Sequence, residues 1–284
     1  MRSRGEESAR TQPERRQPAG DLSADEVRIL HGFSFGKAAS AYAEHRPGYA
    51  DQAVRWALEP VAGRNPLRVL DLGAGTGKLT AALVRLGVDV TAVEPDPAML
   101  TQLRQVLPGV RALSGSAENI PIPDGAADAV VAGQAAHWFD TSRALPEIVR
   151  VLSAGGVLAG LWNVDDDRVD WVAGLHAVGG ESMSASLTSS RGRYDEYLGG
   201  LDAGGGSPFS SSERAEFENG QRRTADSLVA TIATHSGLLV MKQPERDRVL
   251  ARVRDYLRSR PETAAGEFTL PMVTCVVRAV RDGR

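Results

Sequence analysis

Apolar and polar positions change rhythm along the chain. From Leu67 onward, short apolar runs alternate with stretches in which apolar residues recur every three or four positions. The runs 67–72, 89–94, 110–114, 128–132 and 156–162 have the length and β-branched content of buried strands. Segments 80–86, 97–107 and 142–152 read as helices between them. Gly87 closes the first, Pro97 suits the first turn of the second, and Gly155-Gly156 follows the third. Strands alternating with helices at this spacing predict an α/β fold, with a parallel sheet covered on both faces.

Before Leu67 the pattern differs. Residues 1–24 are dominated by Arg, Glu, Ser, Gln and Pro and read as a disordered tail, with too little apolar surface to repay ordering. A short amphipathic helix fits 25–31. Residues 35–58 read as helical, and Pro47 divides them into two helices. Beyond Asn163 the alternation breaks down. Helices are expected at 171–178, 224–235 and 244–259, a Gly/Ser loop at 199–212, and a final strand in 267–280 that rejoins the sheet. No internal repeat is present.

Composition narrows the function classes. Of 284 residues 42% are hydrophobic, enough for a sizeable core. Lys plus Arg number 33 and Asp plus Glu 36, so the formal charge of −3 argues against a broad nucleic-acid footprint. Cys275 is the single cysteine, which excludes an intramolecular disulfide framework and a Cys-rich metal site. No apolar run approaches the ~18–20 residues of a membrane span, and residues 1–20 lack the apolar stretch of a secretory signal. The expectation is a soluble protein of a reducing cytoplasm.

The most informative stretch is Asp71-Leu72-Gly73-Ala74-Gly75-Thr76-Gly77-Lys78, set between a strand and a helix. A phosphate-binding P-loop would need Gly where Leu72 stands and Ser or Thr where Leu79 stands, so that reading fails twice. A dinucleotide loop would need G-x-G-x-x-G, whereas here Lys78 takes the place of the third glycine. A nucleoside site without phosphates fits better. Asp71 would oppose a pyrophosphate but could accept hydrogen bonds from a cationic ligand. Glu94, at the end of the second strand, stands where a carboxylate reaches a ribose diol.

On these residues the chain resembles the class I S-adenosylmethionine-dependent methyltransferases. Residues 69–80 (VLDLGAGTGKLT) are similar to the family's first motif and 90–100 (VTAVEPDPAML) to its second. Gly115-Ser116-Ala117-Glu118-Asn119-Ile120-Pro121 resembles the loop after the third strand, and Gly155-Gly156-Val157-Leu158 the start of the fifth. Tyr42-Ala43-Glu44-His45-Arg46-Pro47-Gly48-Tyr49 and Ala136-His137-Trp138-Phe139-Asp140 resemble the ubiquinone-biosynthesis and trans-aconitate type, which methylates small molecules.

The resemblance implies a doubly wound, mostly parallel seven-stranded sheet with N-terminal helices and a C-terminal helical lid. It divides the chain into the tail (1–24), N-terminal helices closing the cofactor site (25–62), an S-adenosylmethionine-binding core (63–163), a variable substrate lid (164–266) and the last strand (267–284). By the same resemblance Gly73, Ala74, Gly75 and Gly77 line the methionine part of the cofactor and Glu94 holds the ribose. Pro95 and Met99 pack near the adenine, and Ser116, Ala117 and Glu118 meet its edge. Ser116 stands where many relatives carry Asp, which leaves that contact to a hydroxyl or the backbone. Gln134 lies at the sulfonium end, and Tyr42 and Arg46 close the site, with Arg46 on the cofactor carboxylate.

The expected reaction moves a methyl group to a small organic acceptor through a carboxylate, hydroxyl or carbon. A carboxylate needs no base, whereas a hydroxyl or carbon acid is helped by one. His137 is a candidate base; alternatively His137 and Trp138 shape the acceptor pocket without proton transfer. The segment after the fourth strand lacks the Asn/Asp-Pro-Pro-Tyr/Phe pattern of amino-methylating DNA enzymes. Asp165-Asp166-Asp167 reads as a solvated loop, and the histidines show no metal-ligand spacing. The Arg-rich stretch 246–260 reads as a solvated helix face over a core stripe. A non-catalytic S-adenosylmethionine-binding regulator and, more remotely, an NAD-dependent oxidoreductase are the competing functions.

Overall fold

The computed structural model describes residues 47–180, 207–234, 236–239 and 241–283. Tyr42, Arg46, the expected tail and most of the segment expected to form N-terminal helices lie outside the described residues.

In chain order the elements are α1 (Asp51–Leu58), β1 (Arg68–Leu72), α2 (Lys78–Arg85), β2 (Asp89–Glu94), α3 (Pro97–Val106), β3 (Arg111–Ser114), β4 (Ala127–Gly133), α4 (Thr141–Val151), β5 (Leu152–Asp165), α5 (Asp170–Gly179), β6 (Glu213–Arg223), α6 (Ala225–Ile232), α7 (Gln243–Ser259) and β7 (Phe268–Val280). They build a seven-stranded sheet in the order β3-β2-β1-β4-β5-β7-β6. The first five strands pair in parallel; β7 runs antiparallel between β5 and β6. Strand order reverses between β1 and β4, and the crevice at such a switch point is where open α/β sheets bind ligands.

Both faces are covered because the strands are apolar on both sides. Val131, Leu161 and Val276 pack under α1 and α2 with Ala53, Val54 and Leu83. Val130, Leu158 and Trp162 pack with Ile148 of α4 on the opposite face. A separate cluster joins Trp171, Leu175, Leu228, Val253 and Leu257 of α5, α6 and α7 to Leu270 and Met272 near the start of β7. Val249, Leu250, Val253 and Leu257 are the buried stripe of α7, as its periodicity predicts.

Two departures from the sequence reading matter. The segment 164–266 was expected to be lid throughout, yet β6 lies inside it and forms the edge of the main sheet. Its sequence, ERAEFENGQRR, alternates between exposed and half-buried positions and carries charge on both faces. An edge strand is protected from mispairing by such charges, and they hide it from a search for apolar runs. Likewise β5 runs from Leu152 to Asp165, past both ends of the expected 156–162. β4 ends at Gly133 opposite Leu161, so the four residues Trp162–Asp165 pair with β7 alone. At ~3.3 Å per residue, they raise a wall about 13 Å beyond the end of β4.

Two charged clusters tie the layers together. At the amino end of the sheet Asp128 accepts hydrogen bonds from Arg64 (2.6 Å), Arg68 (2.8 and 3.0 Å) and Ser153 (3.0 Å). Burial alone would raise this carboxyl, but those donors hold it well below the usual carboxylate range. On the other side Arg278 of β7 lies 3.9 Å from the Trp56 ring centroid and pairs with Glu59 (2.9 Å) and Glu213 (2.6 Å), pinning α1 to the sheet.

Candidate active site

The glycine loop 73–77 leaves β1 at the carboxyl edge and folds over β2. Gly73 and Ala74 both donate their N–H to the Val93 carbonyl, at 2.9 and 3.0 Å. Gly73 has φ +71°, and a Cβ there would stand 2.7 Å from the Cβ of Ala135, so only glycine fits without displacement. Gly77, with φ +88°, opens α2 and packs against Leu103 and Leu107, where an added Cβ would come within 3.1 Å of each. Lys78 follows as the first residue of α2. Burial pulls its ammonium down, and repulsion from Arg223 at the end of β6 adds to the effect.

Glu94 is buried at the end of β2, with 5% exposure. One carboxylate oxygen accepts from Gly75 N–H and the other from Asp96 N–H, both at 2.8 Å. Burial raises its pKa and these two bonds oppose the rise. An ionised carboxylate offers about four lone-pair positions, so two stay open for a diol. Asp96 caps α3 by accepting from Ala98 and Met99 N–H, which fixes Met99 beside Gly75. Met99 is buried and Pro95 exposed.

Asp71 is fully buried. One oxygen accepts from the Thr80 hydroxyl at 2.6 Å; the other has no partner. Burial pushes its pKa up to about 7, with the Thr80 bond opposing and Glu94 adding repulsion. A carboxyl raised in the folded state favours folding at low pH, and that contribution fades as pH rises from about 4 through about 7. The unliganded protein is therefore expected to lose thermal stability between pH 5.5 and 8. Asp71→Asn should flatten that slope by an amount on the order of a few kcal/mol. Equal slopes in wild type and Asp71→Asn, read by thermal melts, would show that Asp71 is ionised throughout.

The loop after β3 forms the next wall. Ser116 and Asn119 face each other across a tight bridge, Ala117 between them is buried, and Glu118 accepts from Asp140 N–H at 2.9 Å. α4 holds this loop from behind: Glu147 accepts from Ile120 N–H, and Arg150 donates to the Ile120 and Ile122 carbonyls, each at 2.9 Å. In the sequence the only signal of this pair is its i, i+3 spacing.

After β4, Gln134 adopts φ +54°, the only described non-glycine residue with positive φ. Its N–H donates to the Leu161 carbonyl (2.9 Å) and its amide to the Asn163 carbonyl (2.7 Å). Strain of this kind concentrates at functional sites. A short 3-10 turn, Ala136–Trp138, follows and presents His137 and Trp138, half-buried, with ring centroids 4.7 Å apart. A Cβ on Gly73 would also meet the Phe139 ring at 3.6 Å, a proximity the sequence did not announce. Four segments distant in sequence thus meet at the carboxyl edge: the glycine loop, the end of β2, the loop after β3 and the turn after β4. Among the described residues no His/Cys/Asp/Glu group could hold a metal ion.

These residues fit a nucleoside with an attached amino acid. The loop excludes a side chain at Gly73 and crowds one at Gly77, a buried carboxylate keeps acceptor positions for a diol, and a second buried oxygen lacks a donor. Comparison with known proteins decides the family. An uncharacterised methyltransferase of Mycobacterium tuberculosis is 42% identical over 248 residues, covering 87% of this chain and 95% of that protein. This chain belongs to the class I S-adenosylmethionine-dependent methyltransferases. A methyltransferase-domain family profile matches residues 70–160 of the enzyme, from within β1 into β5. The methyltransferase is also 33% identical over 127 residues to a malonyl-[acyl-carrier protein] O-methyltransferase of Pectobacterium atrosepticum, covering 44% of this chain and 50% of that protein. Its fold matches a protein of Anaeromyxobacter dehalogenans provisionally described as a type II methyltransferase (TM-score 0.58, 24% identity, covering 83% of this chain and 97% of the other). The methyltransferase takes S-adenosylmethionine as its cofactor.

Proposed function

We propose that the enzyme methylates a small organic acceptor, bound between the turn 134–138 and the wall formed by β5, β7 and β6. The observation that carries this is the position of His137 and Trp138. They are half-buried, directly after β4, and next to the strained Gln134. The name of the Pectobacterium relative, an O-methyltransferase, supports an acceptor with a carboxylate or hydroxyl.

S-adenosylmethionine supplies an activated methyl group on a sulfonium, so the protein's task is alignment and exclusion of water. In this reading Gly73, Ala74, Gly75 and Gly77 receive the methionine portion and Asp71 accepts from its ammonium. Glu94 holds the ribose hydroxyls. Pro95, Met99, Ser116, Ala117 and Glu118 surround the adenine, and Gln134 stands beside the sulfur. His137 and Trp138 form the acceptor wall. Residues 25–62, with Tyr42 and Arg46, close the cofactor side; within 164–266, α5, α6 and α7 cover the acceptor side, and β6 belongs to the sheet.

The test is to incubate the enzyme with methyl-labelled S-adenosylmethionine and a metabolite extract. Label is expected in the low-molecular-weight fraction. Label confined to macromolecules would refute the substrate class, and bound cofactor with no turnover would favour the regulatory alternative.

A further inference from the structure

We infer that Glu147 and Arg150 of α4 set the enzyme's selectivity for adenine in the cofactor, by fixing the backbone of residues 116–120 against which the base lies in the proposed reading. The inference deepens that reading and rests on its placement of the adenine beside Ser116, Ala117 and Glu118.

The backbone bonds within 115–122 are the Ser116–Asn119 bridge, at 3.4 and 3.2 Å, and one from Ile122 N–H to the Ile120 carbonyl at 2.9 Å. The bridge bonds lie at or beyond the usual N–H···O range, so the loop depends on support from outside. α4 supplies it at Ile120, whose side chain is buried with Ile148. Ile120 N–H donates to Glu147 Oε2 at 2.9 Å, and its carbonyl accepts from Arg150 Nη2 at 2.9 Å. The two side chains that read this residue are themselves joined. Arg150 Nε donates to Glu147 Oε1 and Nη2 to Oε2, each at 2.8 Å. Nη1 reaches the Ile122 carbonyl (2.9 Å) and Asp124 (2.8 Å). All five donors of the guanidinium are thereby used. Hydrogen bonds from Arg150, and then from Ile120 N–H, pull the Glu147 carboxyl down to about 2, so the pair stays ionised through neutral pH. The start of the same helix holds the loop's other part: Glu118 accepts from the N–H of Asp140, whose side chain caps α4.

Selectivity follows from what the loop has to offer a base. The pairing edge of adenine presents an amino donor beside a ring-nitrogen acceptor; hypoxanthine reverses both. Side chains 116–118 bring one hydroxyl, one methyl and one carboxylate, and the carboxylate already accepts from Asp140 N–H. The N–H groups of Ala117 and Glu118 form no bond within the described residues. Backbone groups therefore carry much of the reading of that edge, and a hydrogen bond weakens steeply once it is misaligned. A loop released from Ile120 would lose the distinction between the two edges. It would keep the apolar contact of Met99 and Ala117 with the ring, which does not depend on the edge. Neither Glu147 nor Arg150 touches the base in this reading, so both are positioning residues.

The test is calorimetric titration of the full chain with two probes, S-adenosylhomocysteine and S-inosylhomocysteine, which differ only at the edge of the base. The wild type is expected to prefer the adenosyl compound by at least about tenfold. Arg150→Met and Glu147→Ala should each lower that preference about fivefold or more, with affinity for the inosyl compound within about twofold of wild type. Arg150→Lys keeps the charge but not the fork that reaches two carbonyls and two carboxylates, and should lower the preference as well. Where Arg150→Met does not fold, Glu147→Ala and Arg150→Lys decide on the same ratio. A fall in melting temperature does not move the ratio, because a loosened site weakens both compounds alike. A preference that survives in the folded variants, or equal losses for the two compounds, overturns the selectivity role alone. Equal affinity of the wild type for the two compounds overturns the adenine placement, and the selectivity role with it.

Discussion

Replacing Glu94 by Ala is expected to weaken S-adenosylhomocysteine binding by about 1–3 kcal/mol, roughly five- to 150-fold. The interaction lost under the proposed placement is a charge-assisted pair with the ribose hydroxyls. The geometry adds a second cost. Glu94 also accepts the N–H groups of Gly75 and Asp96 at 2.8 Å, so its carboxylate braces the loop that it helps to line. Both donors lose their partner in Glu94→Ala, and a modest drop in melting temperature should accompany the loss of affinity. The measurement is a calorimetric titration at a temperature where circular dichroism shows both proteins fully folded. Unchanged affinity in the folded variant would remove Glu94 from the ribose site.

His137→Gln is expected to raise KM for the acceptor about tenfold or more while kcat stays within severalfold. The position of the ring sets this expectation. It lies in a half-buried 3-10 turn with Trp138 beside it at 4.7 Å, which suits a wall that shapes the pocket. In that role its removal takes away binding that ground state and transition state share. Rate against pH should then not follow an imidazole titration. A base would behave otherwise: kcat would fall ~10²–10⁴-fold, and the wild-type rate would rise with pH as the imidazole becomes neutral. That outcome would transfer His137 from the wall to the proton-transfer step, and full activity in His137→Gln would remove both roles.

The parts of this protein that were readable in its sequence are those where one physical demand dominates. A strand buried on both faces must be apolar along most of its length, which is why β1, β2 and β4 stand out as short runs. A loop that crosses β2 closely must be glycine at Gly73, because Ala135 occupies the space of a side chain. Where two demands compete, the pattern blurs. β6 is a strand by hydrogen bonding and an edge by position, and its Glu and Arg residues serve the edge. The extension of β5 to Asp165 passes through Trp162, Asn163 and Asp165, whose polar members face the Gly48 carbonyl and α5 rather than a core. Contacts between distant segments left the weakest trace. Neither the bond from Glu118 to Asp140 nor the support of the post-β3 loop by Glu147 and Arg150 follows from local spacing. The glycine loop and Glu94 were readable because both lie within one βαβ unit, where spacing along the chain ties them together. The arrangement of α5, α6 and α7 on the start of β7 was not, because ordinary apolar packing carries no chemical signature.

The most direct test of the site is a crystal structure of the enzyme with S-adenosylhomocysteine. Both ribose hydroxyls are expected within hydrogen-bond distance of the Glu94 carboxylate, the adenine against Met99 and Ala117, and the thioether sulfur opening toward the turn 134–138. A ligand seated away from the glycine loop, or a sulfur turned away from His137 and Trp138, would contradict it.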